Sequence, residues 1–146
     1  MELLDAVESV LGKKKKGIYT ISPDASVYDA LVLMAEKEVG ALLVMRGNDL
    51  VGVISERDYA RKIALMGRSS KETDVSEVMS SPPMTVSPRA TVTECMQLMT
   101  DKRRRHLPVV DNGVVVGIVS IGDLVKWKIS EVEAEAEGLK SYIAAS

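Results

Sequence analysis

The sequence predicts a mixed α/β (α+β) fold of two βαββα repeats, packed about a pseudo-twofold axis and flanked by N- and C-terminal helices. Three observations predict it. Residues 19–63 overlie residues 84–128 without a gap, at an offset of 65 (84 less 19). Thr20, Ser22, Pro23, Ala25, Val27 and Met34 recur as Thr85, Ser87, Pro88, Ala90, Val92 and Met99. Leu42, Val44, Gly52, Ser55 and Asp58 recur as Leu107, Val109, Gly117, Ser120 and Asp123, so the chain carries an internal duplication. Second, each copy ends in an apolar strand running into Ser-x-x-Asp, the pattern of a helix capping box. Third, 46% of the 146 residues are hydrophobic but only 3% are aromatic, with no Phe and eight Met, so the core is aliphatic. A unit of about 50 residues has too little interior to fold alone, so the two copies must share a seam.

The elements follow in order. Leu3, Leu4, Val7, Val10 and Leu11 fall at helical spacing, which predicts a helix over 2–11 that Gly12 ends. A loop of four lysines, 13–16, comes next. Residues 18–21 read as a strand, and Ser26 with Asp29 opens a helix that buries Val27, Ala30, Leu31 and Met34. Residues 41–45 and 50–54 read as a hairpin, and a helix from Ser55 to about Met66 stops at Gly67. Asp74 to Glu77 marks another helix start, and Pro82-Pro83 breaks the chain before the second copy. In that copy Asn112-Gly113 is a strong hairpin turn. The last helix places Leu124, Trp127 and Val132 toward the body and its glutamates in solvent, with Gly138 a break. The expected organisation is therefore a helix and Lys-rich loop over 1–16, repeats over 17–67 and 84–128, a linker over 68–83, and a terminal helix over 129–146.

Composition narrows the function classes. A net charge of −2 gives no general case for nucleic acid or membrane surfaces. Arg103-Arg104-Arg105 has neither an aromatic platform nor a basic face around it. No apolar run reaches membrane-spanning length, and the acidic start does not resemble a signal peptide. The single cysteine excludes an intramolecular disulfide and fits a reducing, cytoplasmic setting. Cys95 replaces Ala30 on a buried helix face and reads as core; with one His106 beside it, no metal set or catalytic triad can be assembled. An enzyme is not expected.

The two Ser-x-x-Asp junctions carry the chemistry. Each offers N–H groups at a helix start, a hydroxyl and a carboxylate, a set that suits a phosphate and a ribose as well as a cap. Leu107-Pro108-Val109-Val110-Asp111, Gly117-Ile118-Val119-Ser120-Ile121-Gly122-Asp123 and the paired Thr-x-Ser-Pro starts resemble cystathionine-β-synthase (CBS) domains in tandem, over about residues 17–128. The chain is similar to the stand-alone bacterial type, which implies a regulatory module sensing an adenosine nucleotide: AMP, ADP, ATP or NAD(H). The resemblance implies that Asp58 and Asp123 hold ribose hydroxyls and that Ser55 and Ser120 contact phosphate, beside Arg57 in one copy and Gly122 in the other. It implies adenine pockets from the opposite repeat: Tyr19, Ile21 and Val39 for the Asp123 site, and Met84, Val86 and Arg104 for the Asp58 site. Arg105 and His106 match phosphate-touching positions. Val39-Gly40-Ala41 stands where the second copy has Arg104-Arg105-His106, so the sites are not equivalent and the Asp58 site is the more anion-seeking. A homodimer and a regulated partner enzyme are the implied partners. The other reading is a structural or interaction protein with vestigial sites.

Overall fold

A computed structural model describes residues 5–14 and 17–145, with side chains to residue 139. Leu3, Leu4, Lys15 and Lys16 of the expected first helix and loop lie outside the described residues. Both repeats are present. The first holds β1 (Thr20–Ile21), α2 (Val27–Lys37), β2 (Ala41–Arg46), β3 (Asp49–Ser55) and α3 (Glu56–Tyr59). The second holds α5 (Val92–Lys102), β4 (His106–Asp111), β5 (Val114–Ser120) and α6 (Ile121–Ala145). Two further helices, α1 (Val7–Lys13) and α4 (Val75–Val78), precede them.

The duplication is visible in bond-level detail. Ser26 and Thr91 cap α2 and α5 through the N–H three residues on. Both helices close on a left-handed residue, Glu38 and Arg103. Each hairpin shifts register at the same place, between Val44 and Met45 and between Val109 and Val110. Asn112 and Gly113 both have positive φ, as a two-residue primed turn requires.

The first strands differ. β1 pairs in parallel with β2, helped by the Leu43 N–H donating to the Tyr19 carbonyl at 3.1 Å. In the second repeat the residue matching Leu43 is Pro108, which has no N–H to give. There the expected strand at Met84–Val86 shrinks to one parallel bridge, Val86 to Val109.

The flanking helices cross over. The α1 helix packs on the second repeat, where Val7 and Val10 join Val92, Cys95, Met99, Leu107 and Leu124 in one buried cluster. The α4 helix packs on the first, where Val75 and Val78 join Val27, Ala30, Met34, Leu42 and Ile54. The clamps match: Val7 N–H to Ala90 O (2.7 Å) and Val92 N–H to Asp5 O (2.9 Å), against Val75 N–H to Ala25 O and Val27 N–H to Thr73 O (both 2.8 Å). Gly52 and Gly117 make this possible. A Cβ on Gly52 would sit 2.6 Å from the Met79 sulfur, and one on Gly117 2.7 Å from a Leu11 methyl. Between the sheets, Val115 and Ile118 of the second repeat pack with Met45 and Leu50 of the first against Ala41, Leu43 and Val53; Leu50 and Val53 are the repeat counterparts of Val115 and Ile118, which fits a seam on the pseudo-twofold relation.

Four expectations need correction. Gly12 lies within α1, and Gly138 lies within α6, which runs unbroken for 25 residues. One glycine weakens a helix by roughly 0.5–1 kcal/mol, too little to end it against favourable neighbours. Val132 faces solvent at 49% exposure, whereas Leu124 is buried and Trp127 donates to Asp5 at 3.1 Å. Finally, the helix after Ser55 is not uniformly α. It widens into a π-turn over Ala60–Ala64, with the Leu65 N–H reaching the Ala60 carbonyl, before Gly67 ends it at φ 67°.

Candidate ligand clefts

Each junction opens onto a cleft walled by the opposite repeat. The larger cleft, about 460 Å³, is lined by Ser55, Arg57 and Asp58 from the first repeat and by Met84, Arg104, Arg105 and His106 from the second. The smaller, about 210 Å³, is lined by Ser120 and Asp123 together with Tyr19, Val39 and Lys14. His106 and Gly40 belong to both walls. Ile21 and Val86 line neither cleft and pack against the cores of their own repeats. Gly122 also stays out of the lining of the smaller cleft.

Both Ser-x-x-Asp sets are formed capping boxes. The Ser55 N–H donates to Asp58 Oδ2 at 2.9 Å and the Asp58 N–H to Ser55 Oγ at 3.2 Å. The Ser120 N–H donates to Asp123 Oδ2 at 2.8 Å and the Asp123 N–H to Ser120 Oγ at 3.0 Å. The first helical N–H of each junction is also spent, Glu56 on the Gly40 carbonyl and Ile121 on the Arg105 carbonyl. Fewer helix-start N–H groups therefore face the clefts than the spacing alone suggests.

Charge separates the two clefts. Around Asp58 stand Arg57, Arg61, Lys62, Arg103, Arg104 and Arg105, opposed by Asp58 and Glu56 alone. Lys62, one turn on, lies 3.5 Å from Asp58 Oδ1 and donates to the Val78 carbonyl at 2.8 Å. None of the five arginines forms a salt bridge among the described residues. Their mutual repulsion shows in Arg57, whose guanidinium is held below its ordinary value by Arg61 first, then by burial and Arg105. An anion placed among them would relieve that repulsion.

At Asp123 the countercharge is already supplied from within the chain. Lys14 Nζ lies 2.8 Å from Asp123 Oδ2 and donates to the Ile118 carbonyl at 2.6 Å. Burial pushes the Asp123 carboxyl up, but the bonds from Lys14 and Ser120 outweigh it and the net shift is down. Lys14 is held there by the crossed-over α1, whose Leu11 seats on Gly117. At the matching edge of the first repeat, backbone does this work: Ser80 and Val53 exchange both N–H···O bonds, at 2.8 and 3.1 Å. Tyr19, across the smaller cleft, has the Lys37 ammonium over its ring at 5.5 Å. His106, between the clefts, is kept below its ordinary pKa by burial and then by Lys14, with both aspartates pulling the other way.

Sequence reasoning missed Arg61, Lys62 and the particular role of Lys14. The first two carried a signal, since Arg57–Arg61 and Asp58–Lys62 are both four residues apart on one helix. Among the described residues no three His, Cys, Asp or Glu side chains stand together as a metal site needs, and no helix is long and apolar enough to cross a membrane.

Comparison with known proteins agrees with the duplication. A family model described as "CBS domain" matches twice, over residues 7–65 and 75–130. The chain is similar to the mitochondrial CBS domain-containing protein CBSX3 of Arabidopsis thaliana, 43% identical over 138 residues, 90% of this chain and 67% of that protein. It is similar in structure to a candidate signal-transduction protein with CBS domains from Burkholderia ambifaria MC40-6, with a TM-score of 0.83, 50% identity, and 86% and 95% of the two chains covered. A hexameric CBS-CP12 protein from bloom-forming cyanobacteria matches at TM-score 0.77 and 27% identity, over 99% of this chain and 85% of that one.

Proposed function

Because the chain belongs to the CBS-domain family, with two repeats in tandem, we propose that it is a regulatory module that binds an adenosine nucleotide in the Asp58 cleft. Proteins of this family are generally regulatory and often bind nucleotides. The observation that carries the finer reading is the five arginines without salt bridges among the described residues, around a cleft of about 460 Å³ that also offers a carboxylate and a hydroxyl. Phosphate goes to Arg57, Arg105 and their neighbours, the ribose hydroxyls to Asp58, and the base against Met84 and the Arg104 plane. Occupancy by AMP, ADP, ATP or NAD(H) then signals energy or redox state to a partner, without catalysis by this chain.

A second reading has its own support. Both carboxylates are engaged in caps, and Asp123 is also engaged by Lys14. On that reading the junctions only hold the fold together, and the protein is an interaction module. Calorimetric titration with AMP, ATP, NAD, adenosine and GMP separates the two. Sensing predicts saturable binding of the adenosine nucleotides, weaker binding of adenosine, and a gap between AMP and adenosine that narrows with salt. No heat with any of them, at concentrations up to the millimolar range, leaves the interaction reading.

A further inference from the structure

A groove between α1 and α6 stands apart from the cleft proposed for the nucleotide. At about 550 Å³ it is larger than either cleft. Val10 and the half-buried Trp127 ring give it an apolar wall. The indole is held twice: its Nε1–H donates to Asp5 at 3.1 Å, and the Lys13 ammonium lies 4.7 Å from the ring centre. In the first repeat the residue matching Trp127 is Lys62, whose ammonium is turned onto Asp58 and the Val78 carbonyl. In the second repeat Lys14 reaches the aspartate from α1, which leaves position 127 free for an aromatic ring.

Three charged groups of this groove, Lys13, Lys126 and Glu131, have no ion-pair partner among the described residues. Asp123 also lines it, but Lys14 at 2.8 Å already matches that charge. Lys126 and Glu131 are five residues apart on α6, which separates them by about 7.5 Å along the helix and about 140° around it. The groove therefore joins two cations, an aromatic wall and one carboxylate set away from Lys126. A multiply charged anion would meet repulsion from Glu131, and a purely apolar molecule would leave the lysines unused. We infer that the groove binds a small aromatic acid, a ring with a carboxylate at one end and an O–H or N–H donor at the other. The carboxylate goes to Lys13 and Lys126, the ring to Val10 and Trp127, and the donor to Glu131. A concave site of this size, with a few polar groups converging on an aromatic wall, suits a molecule of that kind.

Trp127 is the only Trp in the chain, so its indole N–H gives a single NMR resonance that reports on this groove. Titrating the full chain with para-hydroxybenzoate should move that resonance saturably, with a dissociation constant of roughly a millimolar, as a ligand of so few atoms allows. The uncharged para-hydroxybenzamide should bind about tenfold more weakly. Lys13→Gln/Lys126→Gln alters two exposed residues and should also weaken the acid about tenfold, with the fold intact by circular dichroism. Glu131→Gln should remove the advantage that para-hydroxybenzoate holds over benzoate. No saturable shift, equal binding of the amide, or an affinity unchanged in the lysine variant overturns the inference. Heat of binding without a shift at Trp127 also overturns it, since the acid then sits among the arginines of the Asp58 cleft. None of these outcomes depends on whether that cleft takes a nucleotide.

Discussion

The Asp58 and Asp123 clefts begin from the same sequence phrase and end as different environments. Both have the strand, the capping box and a neighbouring lysine. They differ in where that lysine comes from and in what the opposite wall supplies. At Asp58 the wall brings Arg103, Arg104 and Arg105, and Lys62 sits on the same helix as the aspartate. At Asp123 the wall brings Tyr19 and Val39, and Lys14 arrives from the crossed-over α1 to fill the polar end. Duplication copies backbone geometry readily. The environments then diverge mostly through residues outside the junctions, with Arg57 against Gly122 the difference inside them.

The sharpest way to break the comparison is to neutralise each carboxylate. Asp→Asn keeps much of a cap but loses charge-assisted bonds of roughly 1.5–3 kcal/mol. Asp58→Asn should weaken AMP binding on the order of tenfold to a hundredfold, whereas Asp123→Asn should leave it within about threefold. Calorimetry on both variants checks this, and equal losses would mean that the clefts are equivalent.

Smaller effects probe the helices that differentiate the clefts. Gly52→Ala and Gly117→Ala force a methyl into Met79 and Leu11 respectively, and each should cost about 1–3 kcal/mol in denaturant unfolding. Only Gly117→Ala should also loosen Lys14 and admit ligand to the smaller cleft. Lys14→Met should let burial dominate at Asp123, so that its carboxyl titrates higher than in the parent by NMR.

The smallest effect is on pH dependence. His106 is held below its ordinary 6.5, so the unfolded chain takes up that proton first. Stability from this source is full above pH 6.5 and declines as pH falls below it. Asp123, also depressed, acts in the same direction but only below its ordinary 3.8. His106→Gln should flatten the upper limb of a stability–pH curve and leave the lower one.

Much of this was legible in the residues. The ungapped offset gave the repeats, Asn112-Gly113 gave the turn, and Ser-x-x-Asp gave the caps, because each is a local pattern with a local cause. Pro108 carried a signal that went unread: its missing N–H accounts for the reduced first strand of the second repeat. What was not legible is which repeat a flanking helix chooses. The apolar stripe of α1 fits either core, and only the fit of Leu11 over Gly117 shows where it rests. The role of Lys14 follows from that choice, so a four-lysine run read in isolation looks like a solvated loop. The π-turn after Tyr59 has no pattern in the sequence that we can identify.

On the proposed reading the Asp58 cleft takes an anionic ligand, whereas in the Asp123 cleft Lys14 of the chain itself already supplies the countercharge. Binding stoichiometry tests it most directly, by titrating AMP into the parent and into Lys14→Met under identical buffer. The account predicts one nucleotide per chain for the parent and two for Lys14→Met, the second weaker than the first because Tyr19 and Val39 replace arginines. Two equal sites in the parent, or a single unchanged site in Lys14→Met, would contradict it.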